Sequence, residues 1–184
     1  MCFKGIVYKN VFCVFDEEVY EPSDDTFLLL EYLETMDLNN KTILEIGTGC
    51  GLVSIFIAKN FKAKVHAGDV NPYAILYSRL NNQLNRTRVD FRLSCLFEEF
   101  DQVYDIVLFN APYLVDELAN DSWIELATVD YGVVQEFLKE FPNYTKDYCL
   151  MVLNDQTIKL VKDYEILAKK KLFFEEIYLL KIYP

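Results

Sequence analysis

The segment FNAPYL, residues 109–114, sets a carboxamide at the end of an apolar run and follows it with a proline and an aromatic ring. An amide or exocyclic amino nitrogen is a poor nucleophile because its lone pair is delocalised. If the Asn110 side-chain oxygen and the Ala111 main-chain carbonyl each accept one of its N–H groups, the nitrogen is held with that lone pair aimed at an electrophilic carbon. Both acceptors gain attraction as the nitrogen turns positive, so no strong base is needed. Pro112 fixes the backbone after Ala111, and Tyr113 offers a flat face for a planar group. Asn110, Pro112 and Tyr113 are therefore the candidate catalytic residues. The plainer reading of Asn110 is a strand-end turn before proline.

A second constellation lies upstream. LEIGTGCG, residues 44–51, ends a strand and opens a helix with Gly47, Gly49 and Gly51, which lets the backbone turn sharply and approach a ligand. Asp69, at the end of the following strand, is placed to accept both hydroxyls of a ribose. The spacing is G-x-G-x-G and not the G-x-G-x-x-G of dinucleotide sites. Glu45 would repel a pyrophosphate but suits an ammonium group. A ligand with an ammonium at one end and an adenosine at the other, such as S-adenosylmethionine, satisfies both carboxylates. The alternative is a plain strand-to-helix turn, with Asp69 capping the helix at Pro72.

These residues need a frame, and the alternation of short apolar runs with longer helical stretches supplies an α/β one. TILEI (42–46), AKVHAGDV (63–70), VDFRL (89–93), YDIVLFN (104–110) and DYCLMVL (147–153) read as strands. GLVSIFIAKN (51–60), NPYAILYSRLNNQLN (71–85) and GVVQEFLKEF (132–141) read as helices. In the second of these Asn71 is the cap, Pro72 the first helical residue, and Ile75, Leu76, Leu80 and Leu84 keep a 3.6-residue period. A helix within residues 21–36, with Ser23 and Asp24 as caps, is expected to lie against the first strand. A short helix to about Lys162 and then two strands with a tight connection over residues 164–183 complete the chain. The expectation is a single domain over residues 1–184, with residues 1–40 packed on the sheet.

Composition restricts the function. The chain has 184 residues, 52% hydrophobic, with 14 Phe and 13 Tyr, enough for one buried core. Its 18 Lys and Arg face 29 Asp and Glu, a formal net charge of −11 that argues against autonomous nucleic-acid binding, unless a local patch or basic partner reverses the sign. Cys2, Cys13, Cys50, Cys95 and Cys149 include no C-x-x-C pair to nucleate a zinc site; they are expected as free thiols in a reducing cytoplasm. Neither a cleavable leader nor a membrane-length apolar run is evident. His66, in an apolar strand, is expected in the core, and Trp123 is expected to serve packing before substrate contact.

Taken together, VYEPSDDTFLLLEYL, LEIGTGCG, GDVNP and FNAPYL resemble the class I S-adenosylmethionine-dependent methyltransferases with an N-P-P-Y signature. Within that class they are similar to the archaeal and eukaryotic release-factor glutamine methyltransferases related to HemK. The resemblance implies a Rossmann-like, seven-stranded, mostly parallel sheet with helices on both faces and a C-terminal antiparallel hairpin. It also implies methylation of the glutamine in the Gly-Gly-Gln tip of a translation release factor, sometimes with a small zinc-binding activator subunit. By motif, Thr26 and Glu45 with Gly47 would meet the amino-acid end of the cofactor and Asp69 its ribose, Gly49 would also bind the cofactor, and Asn110 to Tyr113 would hold the acceptor amide.

Three departures stand out. Ala111 replaces a proline of the signature. Cys95, beside Leu96, stands where an acidic residue usually faces the adenine, though a plain core cysteine is an equal reading. WIELATVDYG (123–132) replaces a glycine-rich stretch. Two other functions stay open: an adenine N6-methyltransferase on RNA or DNA, and a binding module that keeps the fold without turnover.

Overall fold

Apolar runs too short for helices pair into sheets, and the stretches between them coil. The computed structural model describes residues 3–114, 122–130 and 132–184. In chain order the elements are β1 (Lys4–Tyr8), β2 (Val11–Phe15), α1 (Asp24–Leu33), β3 (Thr42–Ile46), α2 (Leu52–Asn60), β4 (Lys64–Asp69) and α3 (Pro72–Asn85). They continue with β5 (Val89–Leu93), β6 (Tyr104–Asn110), α4 (Trp123–Thr128), α5 (Val133–Glu140), β7 (Thr145–Asn154), β8 (Glu165–Lys171) and β9 (Glu176–Ile182). Single 3₁₀ turns at Phe141–Asn143 and Thr157–Leu160 complete the set, the second in place of the expected short helix.

The main sheet has seven strands in the order β5-β4-β3-β6-β7-β9-β8. β3 pairs in parallel with both β4 and β6, while β9 runs antiparallel to β7 and β8. The chain therefore winds outward one way from β3 and then the other way from β6. At such a switch point the loops leaving the strand ends diverge and open a crevice.

Both faces of the sheet are covered, which is why its central strands read as continuous apolar runs. Ile43, Ile106, Leu108 and Val152 pack on one side with Leu29, Leu52 and Ile55. Leu44, Val107, Phe109 and Met151 pack on the other with Val134 and Phe137. His66 lies in the core as expected, 2.9 Å from the Tyr104 hydroxyl through Nδ1, and burial lowers its pKa.

The β1–β2 hairpin is an addition that the sequence reading did not anticipate. It forms a separate two-stranded sheet beside α3. Asn81 Nδ2 donates to the main-chain oxygens of Val14 (2.9 Å) and Cys50 (2.8 Å), and its Oδ1 accepts from Val14 N (2.9 Å). Asn85 engages Phe12 N and O in the same way, at 3.1 and 2.6 Å. Two asparagines thus replace the neighbouring strand that β2 lacks on this edge, and one of them also grips the loop carrying Cys50.

Two further corrections concern helices. α1 packs chiefly on β6, β8 and β9 and beside α2, and the strand over 42–46 meets it only through the shared buried cluster of Leu29 and Ile43. Ser23 is its N-cap by position but makes no side-chain capping bond. In α3 the cap is as expected, Asn71 accepting from Tyr73 N at 2.9 Å. Of its periodic apolar residues only Ile75 is buried, and Leu76, Leu80 and Leu84 are exposed. Cys13, Cys50 and Cys149 are buried free thiols, Cys95 is an exposed one, and Cys2 lies outside the described residues.

Candidate active site

The crevice beyond β3 and β6 is a cavity of about 430 Å³, within the size range of small-molecule sites. Thr26, Glu45, Gly47, Gly49, Asp69, Cys95, Leu96, Asn110, Pro112 and Tyr113 all line it. Residues drawn from four separate motifs, with Cys95 and Leu96 after β5, therefore meet in one place.

The loop after β3 turns through three left-handed glycines, with φ of +68° at Gly47, +55° at Gly49 and +85° at Gly51. Their surroundings differ. A Cβ on Gly51 would lie 3.0 Å from the Ser78 side chain and 3.1 Å from Phe91, so this glycine serves close packing of the loop on α3 and β5. A Cβ on Gly49 would meet nothing within 4 Å, so the backbone there opens to the cavity. One glycine of the motif is for the fold, the other leaves room for a ligand.

Glu45 is buried beneath this loop. Its Oε2 accepts from Thr48 Oγ1 (2.7 Å), Ser54 N (3.2 Å) and Ser54 Oγ, yet burial outweighs these bonds and pushes its pKa up to about 7. Asp69 holds Gly49 N with Oδ2 (2.8 Å) and Asn71 N with Oδ1 (2.9 Å), which fixes the carboxylate against the loop. Burial raises its pKa too. Among the described residues neither carboxylate has a cation beside it, the electrostatic setting of a site that takes a positive or hydrogen-bonding ligand.

The strand end at Asn110 is tied to α1. Asn110 Nδ2 lies 3.4 Å from Thr26 Oγ1, while Asn110 Oδ1 is buried without a hydrogen-bond partner among the described residues. An orphaned buried acceptor is uncommon, and here it belongs to a side chain on the cavity lining. Tyr113 is oriented from two sides: its main-chain N donates to Thr128 O at 3.1 Å and its hydroxyl to Asp25 Oδ2 at 3.1 Å. Burial, and after it the Asp25 charge, raises the Tyr113 pKa, so the phenol stays protonated.

Several site residues escaped the sequence reading. Asp25 is 3% exposed and also accepts from Tyr20 (2.8 Å) and from Thr26 N (2.5 Å). Its signal was present in the doublet of acids before Thr26, but only α1's docking on β6 brings it to Tyr113. Tyr20 and Glu175 also line the cavity. Trp123 is partly exposed on the cavity wall, so its place is the site and not the core interior. Cys95 is exposed there and is no core cysteine, while Leu96 beside it takes a left-handed φ of +44°. Of the segment that replaces the glycine-rich stretch, Tyr131 lies outside the described residues.

The donor set fits S-adenosylmethionine: two desolvated carboxylates at separate positions, a glycine open to the cavity between them, and an unpartnered carboxamide oxygen on the lining. Comparison with known proteins agrees. The methyltransferase small domain family model matches residues 10–140. A Methanocaldococcus jannaschii chain, named as a candidate protein N5-glutamine methyltransferase, is 37% identical over 178 residues, covering 87% of this chain and 89% of that one. The release factor glutamine methyltransferase of Streptococcus pneumoniae is 34% identical over 104 residues, 55% of this chain and 37% of that protein. Among solved structures, the E. cuniculi Mtq2–Trm112 complex, responsible for methylation of the eRF1 translation termination factor, superposes with a TM-score of 0.70 at 21% identity, covering 90% of this chain and 98% of that one. At that identity the likeness is one of fold.

Proposed function

Because this chain belongs to the methyltransferase small domain family and uses S-adenosylmethionine, we propose that its acceptor is the side-chain amide nitrogen of a glutamine, in the Gly-Gly-Gln segment of a translation release factor. The observation that carries this reading is the buried, unpartnered Asn110 Oδ1 at the end of β6. An uncharged NH₂ group satisfies it, and the names of the M. jannaschii and S. pneumoniae relatives support glutamine as the source of that group.

S-adenosylmethionine, when bound, supplies a methyl group on a positively charged sulfur. Glu45, Thr26, Gly47 and Gly49 hold its amino-acid end, Asp69 its ribose, and Cys95 and Leu96 border its adenine. Asn110 Oδ1 and the Ala111 carbonyl grip the two N–H groups of the acceptor amide and aim its lone pair. Pro112 holds the turn and Tyr113 flanks the planar amide; as the N–C bond forms the S–C bond would break, S-adenosylhomocysteine would leave as the neutral thioether, and the surplus proton on nitrogen would pass to solvent.

Charge and location accord with this reading. The net charge of −11 repels a nucleic-acid backbone and suits a protein acceptor. Among the described residues no helix is long and apolar enough to cross a membrane. A translation factor as substrate places the enzyme in the cytoplasm. A small activator subunit has a surface to cover: β5 ends the sheet, and α3 beside it exposes Tyr73, Leu76, Leu80 and Leu84. A zinc ion, if one is needed, belongs to that subunit.

Glu45 gives the site a pH signature. Its folded pKa of about 7 lies above the ordinary 4.5, so the folded protein prefers the neutral acid. The stability that this preference contributes is complete below pH 4.5 and is lost as pH rises to about 7, on the order of 3 kcal/mol in all. Cofactor binding has the opposite slope, because an ammonium group requires the ionised form. Calorimetric affinity for S-adenosylhomocysteine should climb by up to about tenfold per pH unit below 7 and level off above it, and Glu45→Gln should flatten the curve and lower it.

The function itself is tested by co-expressing the chain with a candidate release factor and sequencing the Gly-Gly-Gln peptide by mass spectrometry. One added methyl on the glutamine is expected. An unmodified factor, together with label from radioactive cofactor appearing on adenines of RNA, would replace this reading with N6-methylation.

A further inference from the structure

The turn between β8 and β9 carries Phe173 and Phe174, which are 91% and 94% exposed, with ring centroids 4.7 Å apart and edge to face. Among the described residues no other large apolar side chain exceeds Val7, at 68%. The turn is pinned. Leu172 N donates to Glu175 O at 2.8 Å, Asp155 N to Glu176 O at 3.1 Å, and Asn154 Nδ2 to the Glu175 carboxylate at 2.9 Å. Asn154 is itself buried at the end of β7. Two aromatic rings are therefore held out from a fixed mount.

Their position relative to the site makes this informative. Glu175, the residue after Phe174, lines the active-site cavity, and its charge helps to raise the Tyr113 pKa. Exposed Leu114 and Leu126 line the same cavity. A chain that places an amide against Asn110 leaves the mouth past these groups. Of the three lysines before the turn, Lys169 is paired with Glu176 and Lys170 with Asp24, so they do little to offset the net charge of −11, which repels a nucleic acid or a second copy and favours a protein with a basic, partly apolar face.

From this we propose that Phe173 and Phe174 form a docking anchor for the body of the methyl-accepting protein, outside the few residues that enter the cavity. The anchor rests on the reading above that the acceptor lies in a protein. Aromatic side chains, phenylalanine among them, are enriched at the cores of protein–protein interfaces. The anchor sets affinity for the folded substrate and leaves the chemistry of the bound amide alone.

The test is the double variant Phe173→Ser with Phe174→Ser, in the chain together with any subunit that copurifies. Steady-state kinetics are compared on a whole release factor and on a short Gly-Gly-Gln peptide. KM for the factor should rise by about tenfold or more with kcat changed less than about twofold, while the peptide parameters and S-adenosylhomocysteine affinity stay as in wild type. Phe173→Leu with Phe174→Leu should restore part of the loss. An unchanged KM for the factor overturns the anchor, as does sedimentation showing that the serines dissolve a dimer of this chain. If the wild-type protein methylates neither substrate, the functional reading falls and the anchor falls with it. If wild type methylates the factor and the serine variant matches it, the anchor alone is lost.

Discussion

Asn110→Ala should lower kcat by about 10²–10³-fold or more while leaving the affinity for S-adenosylhomocysteine within a few fold of wild type. The two halves of this expectation have separate causes. Asn110 Oδ1 has no hydrogen-bond partner among the described residues, so its removal costs their packing little, and the contact it gives up on the Nδ2 side is a long one of 3.4 Å to Thr26. On the proposed reading the acceptor amide loses one of two gripping oxygens, and with it both the alignment of its lone pair and the attraction that grows as its nitrogen turns positive. Single-turnover transfer from labelled cofactor gives the first quantity and calorimetry the second. Full transfer, or joint loss of binding and transfer, would remove Asn110 from its assigned place.

Asp69→Ala should weaken S-adenosylhomocysteine binding by about 100-fold or more, with a much smaller change in the melting temperature of the ligand-free protein. Hydrogen bonds from two ribose hydroxyls to a charged acceptor are worth about 1.5–3 kcal/mol each, and a total near 3 kcal/mol corresponds to that factor. Stability responds less because two effects oppose each other. The alanine removes a carboxylate whose burial is unfavourable, but it also strips Gly49 N and Asn71 N of their acceptor. Asp69→Asn, which keeps an acceptor oxygen, should fall between wild type and alanine. Calorimetry and thermal melts check both quantities, and an unchanged affinity would reduce Asp69 to a pin for the glycine loop.

The site was legible in the sequence where its residues act through local geometry. Glu45 and the glycines are fixed by the strand-to-helix turn they belong to, and Asn110 by the end of β6. The sheet followed from the apolar runs for the same reason. What could not be read depended on contacts between distant segments. Asp25 and Glu175 reach the cavity only because α1 and the β8–β9 turn dock there. The apolar period of α3 identified the helix, yet pointed to the wrong face. Ser78 is buried against the glycine loop, and Asn81 and Asn85 against the hairpin, where they meet a strand edge whose amides and carbonyls need polar partners. Leucines at those positions would leave that edge unsatisfied, so burial and polarity go together here, contrary to the usual pattern.

The position of β9 between β7 and β8 governs how the sheet is assembled. β8 is synthesised first but has no neighbour in the sheet other than β9, so it stays unpaired until the later strand exists. The short connection at Leu172–Glu175 makes closure of the β8–β9 ribbon a local event, and the topology predicts that this ribbon forms before or as β9 pairs with β7. Mutations that slow closure of the ribbon should delay the whole flank while leaving the parallel half free to form.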